Sequence, residues 1–430
     1  MTGLDLQRSA APTIAKSVVV VFCAAAVGAL VWHLWVVPVA GHYGLFTNGV
    51  DTKVYRGGAN AVIHGLPLYD RPVYRYWWFT YPPFAAVVMA PLALISPLHA
   101  IRLVQAVNIV CLFLLVVLTL RAMGFQRDRR FWLTAVAASL AGLLLEPVHT
   151  TIWNGQINLV LAVFVVGCLT LPTGKWRGIG VGIAAGIKLT PIFFVAYLVV
   201  TRQFRAALTA VTVFAATILI GLLVLRGQAW RYWTGAGNTA HIGEEDAPSN
   251  QSIHGLLARM DALGLWHPPG WLWLPLGIGV AVVGLMAVAR LYRAGAQMAA
   301  ITMAGLTACA VSPFSWGHHW VWILPLLLIT VVRVADAVRR DRPITWLWWL
   351  VPAAFAVAAG AWRVQVFLEG RLVWRAGTFR VFWSPDAHGW EAVRAVAGSA
   401  AYLLVFASAV AAAFYWTRRA TSAEAESLRD

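Results

Sequence analysis

The stretch Ala310-Val311-Ser312-Pro313-Phe314-Ser315-Trp316-Gly317-His318-His319-Trp320-Val321 decides how this chain is read. It joins two apolar runs and interrupts them with Ser, Pro and Gly before setting down two titratable rings. Polar, protonatable groups at membrane depth are costly and mark function. Two further breaks have the same character. Lys188-Leu189-Thr190-Pro191 interrupts one apolar run, and Glu146-Pro147 to Asn158, with Trp153-Asn154-Gly155-Gln156 inside it, interrupts another. Three such breaks point to one site assembled from several helix ends.

The surroundings are those of an integral membrane protein. The 430 residues are 60% hydrophobic and 12% charged, with a mean hydropathy of +0.72. That is more apolar surface than a soluble domain can bury. The first apolar run, Ser17 to Ala40, is too long for a signal-peptide core and has no clear small-residue cleavage site, so it reads as a retained span. Cys23, Cys111, Cys168 and Cys309 all lie inside apolar runs without metal-ligand spacing and read as buried hydrophobes. The formal charge of +16 comes largely from arginine clusters between spans. Such clusters set topology and meet anionic lipid headgroups. No basic face interleaved with aromatics occurs on a soluble segment, which argues against nucleic acid as a partner.

Placing the basic runs in the cytoplasm orients the chain. The runs are Arg8/Lys16, Arg121 to Arg130, Lys175/Arg177, Arg202/Arg205, Arg290/Arg293, Arg333 to Arg342 and Arg418/Arg419. The connections Gly41 to Trp78, Glu146 to Gln156, Gly227 to Gly270 and Trp362 to Arg394 then fall outside, together with the Lys188 and Ser312 to His319 breaks. All three polar breaks land on one side, although the assignment did not use them. The expectation is an all-α polytopic protein, one membrane domain over 1–430, with about 12 spans and re-entrant or interfacial helices on the extracytoplasmic side. The tails 1–16 and 418–430 are expected inside. Ile179 to Val200 splits at the Lys188 break into two short helices that reach outward and return. Phe84 to Ile95 reads as re-entrant, leaving Leu98 to Leu120 as the second span.

Several residues could carry chemistry. Asp51, in Thr47-Asn48-Gly49-Val50-Asp51-Thr52, suits a general base near the outer surface; it equally fits a helix N-cap. His318 and His319 are adjacent, so on a helix their rings point about 100° apart and do not share a ligand easily. One facing a pocket can donate to a phosphate oxygen or shuttle a proton. Lys188 needs a negative partner, a carboxylate or a ligand phosphate, or else snorkels to the interface. Glu146, Asn154, Gln156 and Asn158 can orient sugar hydroxyls or bond span to span. Some of the 23 tryptophans form an interfacial belt, and others can stack on sugar faces. Glu244-Glu245-Asp246 reads as a solvated acidic turn, since consecutive acids rarely face one cation. No Gly-rich phosphate loop or nucleotide-binding signature occurs.

These motifs carry a resemblance. Asp51 after the first span, Thr80-Tyr81-Pro82-Pro83, Trp153-Asn154-Gly155-Gln156-Ile157-Asn158, Lys188-Leu189-Thr190-Pro191, Asn250-Gln251-Ser252 and Ser312 to His319 together resemble glycosyltransferase family 87 of the GT-C superfamily, from Ala15 to Ala420. The resemblance implies a GT-C fold and an inverting transfer of mannose from polyprenyl-phosphate-mannose to a membrane-anchored glycolipid, a phosphatidylinositol mannoside, giving an α-1,2 linkage. It implies Asp51 as catalytic base and His318 at the donor phosphate. Substrate contacts would come from His319, Lys188, Glu146, Asn154, Gln156, Tyr81, Trp316, Asn250 and Gln251. No metal or cofactor is implied. The site would face the extracytoplasmic side of the plasma membrane, in contact with membrane lipids. The alternatives are a polyprenyl-phosphate-arabinose-dependent arabinofuranosyltransferase with the same fold, and a non-catalytic glycolipid transporter. A transporter would distribute polar residues through the membrane depth, whereas this sequence gathers them at one end.

Overall fold

The computed structural model describes residues 11–37, 39, 41, 44–171, 174–235, 241–339, 364–368, 371–375 and 386–427. Parts of the two expected tails, of the Arg333 to Arg342 run and of the connection Trp362 to Arg394, expected outside, lie beyond these.

Helix α1 (Lys16–Val31) runs on into a π-helical turn, Trp32–Val36. The amphipathic α2 (Val50–His64) follows, then the short α3 (Pro83–Val88) with its 3-10 extension Ala90–Leu94. Next come α4 (Pro97–Ala122), α5 (Arg129–Gly142), α6 (Glu146–Asn154) and α7 (Asn158–Thr170). The pair α8 (Ile179–Ile187) and α9 (Phe193–Val200) leads to α10 (Phe204–Leu225), α11 (Gly227–Thr234) and α12 (Ile253–Ala262). The chain then forms α13 (Trp273–Arg293), α14 (Gln297–Val311), α15 (Ile323–Arg339), α16 (Gly389–Gly398) and α17 (Ala401–Ser427). An antiparallel hairpin, β1 (Val364–Leu368) and β2 (Arg371–Arg375), departs from the all-α expectation, with Val366 opposite Val373.

Five described segments are long and apolar enough to cross a membrane: Lys16–Val36, Pro97–Ala122, Phe204–Leu225, Gly270–Arg293 and Ala401–Arg418. A sixth path exists if α5 and α6, bent by 75° at their junction, are counted as one. That is fewer than the expected count of about 12 spans. The difference lies in shorter apolar helices, Pro83–Leu94, Asn158–Thr170, Thr190–Val200 and Gln297–Val311. The same polar breaks that attract notice in the sequence bound three of them, Asn158–Thr170 and Thr190–Val200 at their starts and Gln297–Val311 at its end, because Pro and bonded polar side chains stop the regular backbone ladder.

Helices α1 and α5, α13 and α14, α8 and α10, and α4 and α7 pack as neighbours. Between α8 and α10 the backbones approach closely. Gly178, Gly182 and Gly186 recur every fourth residue, and a Cβ on each would strike Ala206, Ala210 and Thr217 respectively. In lipid, where apolar surface alone drives little association, such small-residue seams allow van der Waals contact along a helix pair. The seam holds the end of α8, and hence Lys188, against α10.

The three polar breaks are all helix ends. α14 stops at Val311, where Ser312 turns to extended backbone, and a 3-10 turn, Gly317–His319, precedes α15. α8 stops at Lys188, also extended. α6 ends at Gly155, in the left-handed region at φ 66. A Cβ at Gly155 would run into Thr52 Oγ1. That contact stitches the start of α2 to the third break, for Thr52 donates to the Gly155 carbonyl (3.0 Å) and Gly49 N donates to the Trp153 carbonyl (2.8 Å).

Candidate active site

A cavity of about 1140 Å³ opens where these helix ends meet. Its wall includes Asp51, Tyr81, Glu146, Asn154, Gln156, Lys188, Trp316, His318 and His319, so nine of the eleven expected site residues share one space. The other two, Asn250 and Gln251, are not on the wall.

Asp51 is the second residue of α2, on the half-buried face of the cavity. The N-cap alternative fails: the cap is Gly49, in the left-handed region at φ 82, and no side chain caps the helix. Burial pushes the Asp51 carboxyl up to about 6, against the opposing pull of Lys188 and a hydrogen bond from Gln156. A carboxylate held near neutrality can take a proton at working pH. Beneath it lies a buried network. Tyr55, fully buried, donates to Gln156 Oε1 (2.6 Å), and Gln156 Nε2 donates to the Tyr81 hydroxyl (3.1 Å). Asn108, inside α4, donates to the Gln156 carbonyl (2.6 Å).

The second pole is cationic. Lys188 Nζ donates to Asn158 Oδ1 (3.0 Å) and to His319 Nε2 (2.9 Å), and it lies 5.8 Å from the centre of the Tyr81 ring. Accepting from an ammonium requires His319 Nε2 to be unprotonated. The His318 and His319 rings stand nearly perpendicular, at 84° with centroids 4.8 Å apart. His318 Nε2 has no hydrogen-bond partner among the described residues. The two imidazoles therefore have different surroundings, as adjacent side chains on one turn should.

Glu146 is buried and engaged: Oε1 accepts from Thr150 and Oε2 from Tyr402, both at 2.8 Å. Asn154 Oδ1 accepts from Asn48 (2.8 Å). Trp316 packs against Gly243 and pairs by backbone with Asn250. Farther out the wall is aromatic, with Tyr74, Trp77 and Trp78, the last stacked on His241 at 3.9 Å. Flat apolar faces beside polar groups suit sugar rings.

Asn250 and Gln251 are fully buried braces. Asn250 Nδ2 donates to the Glu245 and Pro313 carbonyls, and its Oδ1 accepts from Ser315 N (3.0 Å). Gln251 binds Pro248 O, Ser399 O and Tyr402 N. Arg259, also fully buried, donates to the carbonyls of Ala247, Asn250 and Ser399. The acidic turn beside this loop is largely exposed, with Glu245 3.8 Å from His254 Nε2. Among the described residues, no three His, Cys, Asp or Glu side chains group as metal ligands.

Sequence reasoning passed over Tyr55, Arg259 and Tyr402. Arg259 had a visible signal, a lone charge within the amphipathic run Leu256-Leu257-Ala258-Arg259-Met260. Tyr402 had none, since it lies in an apolar helix 256 residues from its partner.

The profile of glycosyltransferase family 87 matches residues 79–313, more than half of the chain. A relative from Mycolicibacterium smegmatis, 36% identical over 312 residues, is named a polyprenol-phosphate-mannose-dependent α-(1-2)-phosphatidylinositol pentamannoside mannosyltransferase; the match covers 70% of this chain and 74% of the relative. A relative from Mycobacterium tuberculosis, 32% identical over 327 residues (71% and 73%), is named a polyprenol-phosphate-mannose-dependent α-(1-2)-phosphatidylinositol mannoside mannosyltransferase. A second Mycolicibacterium smegmatis protein with that same name is 32% identical over 368 residues, 78% of this chain and 81% of its own. No solved structure matches significantly. With the family profile spanning the Tyr81, Gln156, Lys188 and Asn250 segments, and relatives aligned over most of both lengths, this chain belongs to glycosyltransferase family 87.

Proposed function

We propose that the protein is an inverting mannosyltransferase that moves mannose from polyprenyl-phosphate-mannose to a hydroxyl of a phosphatidylinositol mannoside, forming an α-1,2 linkage. The observation that carries this reading is the two-pole cavity, with the Asp51 carboxylate on one wall and the Lys188–His319 pair with His318 on another. The names of the relatives supply the sugar, the carrier and the acceptor class.

In this reading the acceptor oxygen attacks the anomeric carbon as the bond from that carbon to the phosphate oxygen breaks. The acceptor proton passes to Asp51, and the electron pair of the broken bond leaves on the lipid phosphate. One displacement inverts the carbon, so an α product calls for a β-linked donor. Lys188 and His318 stabilise the charge growing on the leaving phosphate, a contribution that excluded water makes large. Asn154, Gln156, Tyr81 and Trp316 orient the sugars, and the Trp78 side of the cavity receives the mannoside acceptor. Asn250 and Gln251 serve substrate indirectly, by holding the Pro313 to Ser315 loop.

The site faces the extracytoplasmic side. Supporting this is a second, smaller cavity of about 270 Å³ lined by Pro12, Ala122, Gly295, Arg333, Asp336 and Arg339, at the ends of α4, α13 and α15, each of which carries arginine in its last turn. Arginine-rich connections stay in the cytoplasm. The shorter helices complete the crossings as broken or re-entrant elements within one membrane domain, to the expected total of about 12.

Purified protein given polyprenyl-phosphate-mannose and a phosphatidylinositol mannoside should release polyprenyl phosphate and extend the acceptor by one α-1,2-linked mannose. Turnover with polyprenyl-phosphate-arabinose and none with the mannose donor would instead make it an arabinofuranosyltransferase.

A further inference from the structure

Asn158 occupies the first position of α7, where its side chain is 7% exposed. Its amide faces two ways. Oδ1 accepts from Lys188 Nζ at 3.0 Å, while Nδ2 donates to the His318 carbonyl at 2.8 Å. The single hydroxyl proton of Thr151 lies within reach of both the Pro147 carbonyl (2.7 Å) and that of His318 (3.1 Å). One neutral side chain thus joins the end of α8 to the His318–His319 turn, elements 30 and 160 residues away in sequence.

An ammonium has three N–H donors. Asn158 and His319 take two of them, and Lys188 lines the cavity. We infer that Asn158 is a positioning residue which holds the Lys188 ammonium by a neutral acceptor, so that its charge and third N–H serve the phosphate of the lipid donor. This rests on the functional reading above and extends it to a residue outside the cavity wall.

Neutrality is the point. An amide oxygen orients a cation without neutralising it, whereas a carboxylate at the same place would pair with it and compete with the phosphate. Asn158→Asp preserves size and the acceptor oxygen but adds that competitor. Asn158→Leu keeps the branched four-atom skeleton and removes both hydrogen bonds.

The experiment measures binding of farnesyl phosphate, and of farnesol as its uncharged counterpart, to the full-length protein in detergent at pH 7. Wild type should prefer the phosphate, and Lys188→Met should erase that preference. Asn158→Asp should weaken farnesyl phosphate by about tenfold or more, with farnesol unmoved, because the carboxylate neutralises the cation. Asn158→Leu should weaken it by a smaller factor, and melting curves of all variants establish that they are folded. A role confined to packing predicts the reverse order, with Asn158→Leu the more damaged and Asn158→Asp binding farnesyl phosphate as wild type does; that result would overturn the inference while leaving the functional reading in place. A wild type that binds farnesol and farnesyl phosphate equally would overturn both.

Discussion

The hydroxyl of Tyr402 donates to Glu146 Oε2 at 2.8 Å across 256 residues of chain, tying α17 to the wall of the cavity. Thr150 takes the other carboxylate oxygen. Glu146 is therefore a brace within the site, and Gly317 lies directly against its carboxylate. Tyr402→Phe should lower stability by about 1–3 kcal/mol, the cost of leaving a buried acceptor short of a donor, while transfer activity survives. Melting curves and turnover on the same preparation check this. Lost turnover at an unchanged melting temperature would place Glu146 in the chemistry.

Asp51→Asn should cut turnover by about 10²- to 10⁴-fold, since the amide matches the carboxylate in size but cannot take the proton. Folding and membrane insertion should be unaffected. Steady-state rates on folded protein decide it; near-normal turnover would remove Asp51 from the role of base.

The pH profile follows from the same residue. Burial raises the Asp51 carboxyl to about 6. A raised carboxyl is protonated, and useless as a base, over a wider acid range, so activity should fall as pH drops through about 6 and level off above it. Rates measured from pH 5 to pH 8 with saturating donor test this. A flat profile across that window would mean another group takes the proton.

His318→Ala and His319→Ala should fail differently. Removing His319 leaves Lys188 without one of its two side-chain acceptors, so donor KM should rise. Removing His318 takes away an imidazole nitrogen that has no hydrogen-bond partner among the described residues, so kcat should fall by about 10²- to 10³-fold, the scale of one lost donor to developing charge. Equal kinetic effects from the two substitutions would contradict the geometry.

Gly155→Ala should be strongly destabilising. The residue sits at φ 66, and its new methyl would collide with Thr52 Oγ1. Strain of this kind costs about 1–3 kcal/mol. Thr52→Ala in the same chain should recover part of the loss by removing the collision but not the φ penalty, and thermal unfolding of the double variant reads this directly.

Sidedness can be measured by cysteine labelling. Tyr76, 71% exposed on the rim that bears the aromatic wall, should react as Tyr76→Cys with a membrane-impermeant reagent added outside. Arg127→Cys, in the exposed connection before α5, should react only after the membrane is opened. Reversed labelling would turn the site toward the cytoplasm.

By itself, the sequence determined that this chain lives in a membrane, that three polar breaks belong together, and that Asp51, Lys188 and the histidine pair are the groups to watch. Each inference rests on a local fact: an uncompensated polar group in an apolar run must be bonded by something. What bonds it is not local. Asn250 and Gln251 read as substrate contacts, and their amides donate to the carbonyls of Pro313 and Ser399. Asp51 read equally as cap and base until Gly49 proved to be the cap. Tyr402, silent in an apolar helix, turned out to brace Glu146. The number of full crossings was also undecidable, because a short apolar helix becomes a span or a re-entrant arm according to what it packs against. A buried polar side chain in lipid is equally well satisfied by a substrate hydroxyl or by a backbone carbonyl far along the chain, and only the tertiary structure chooses between them.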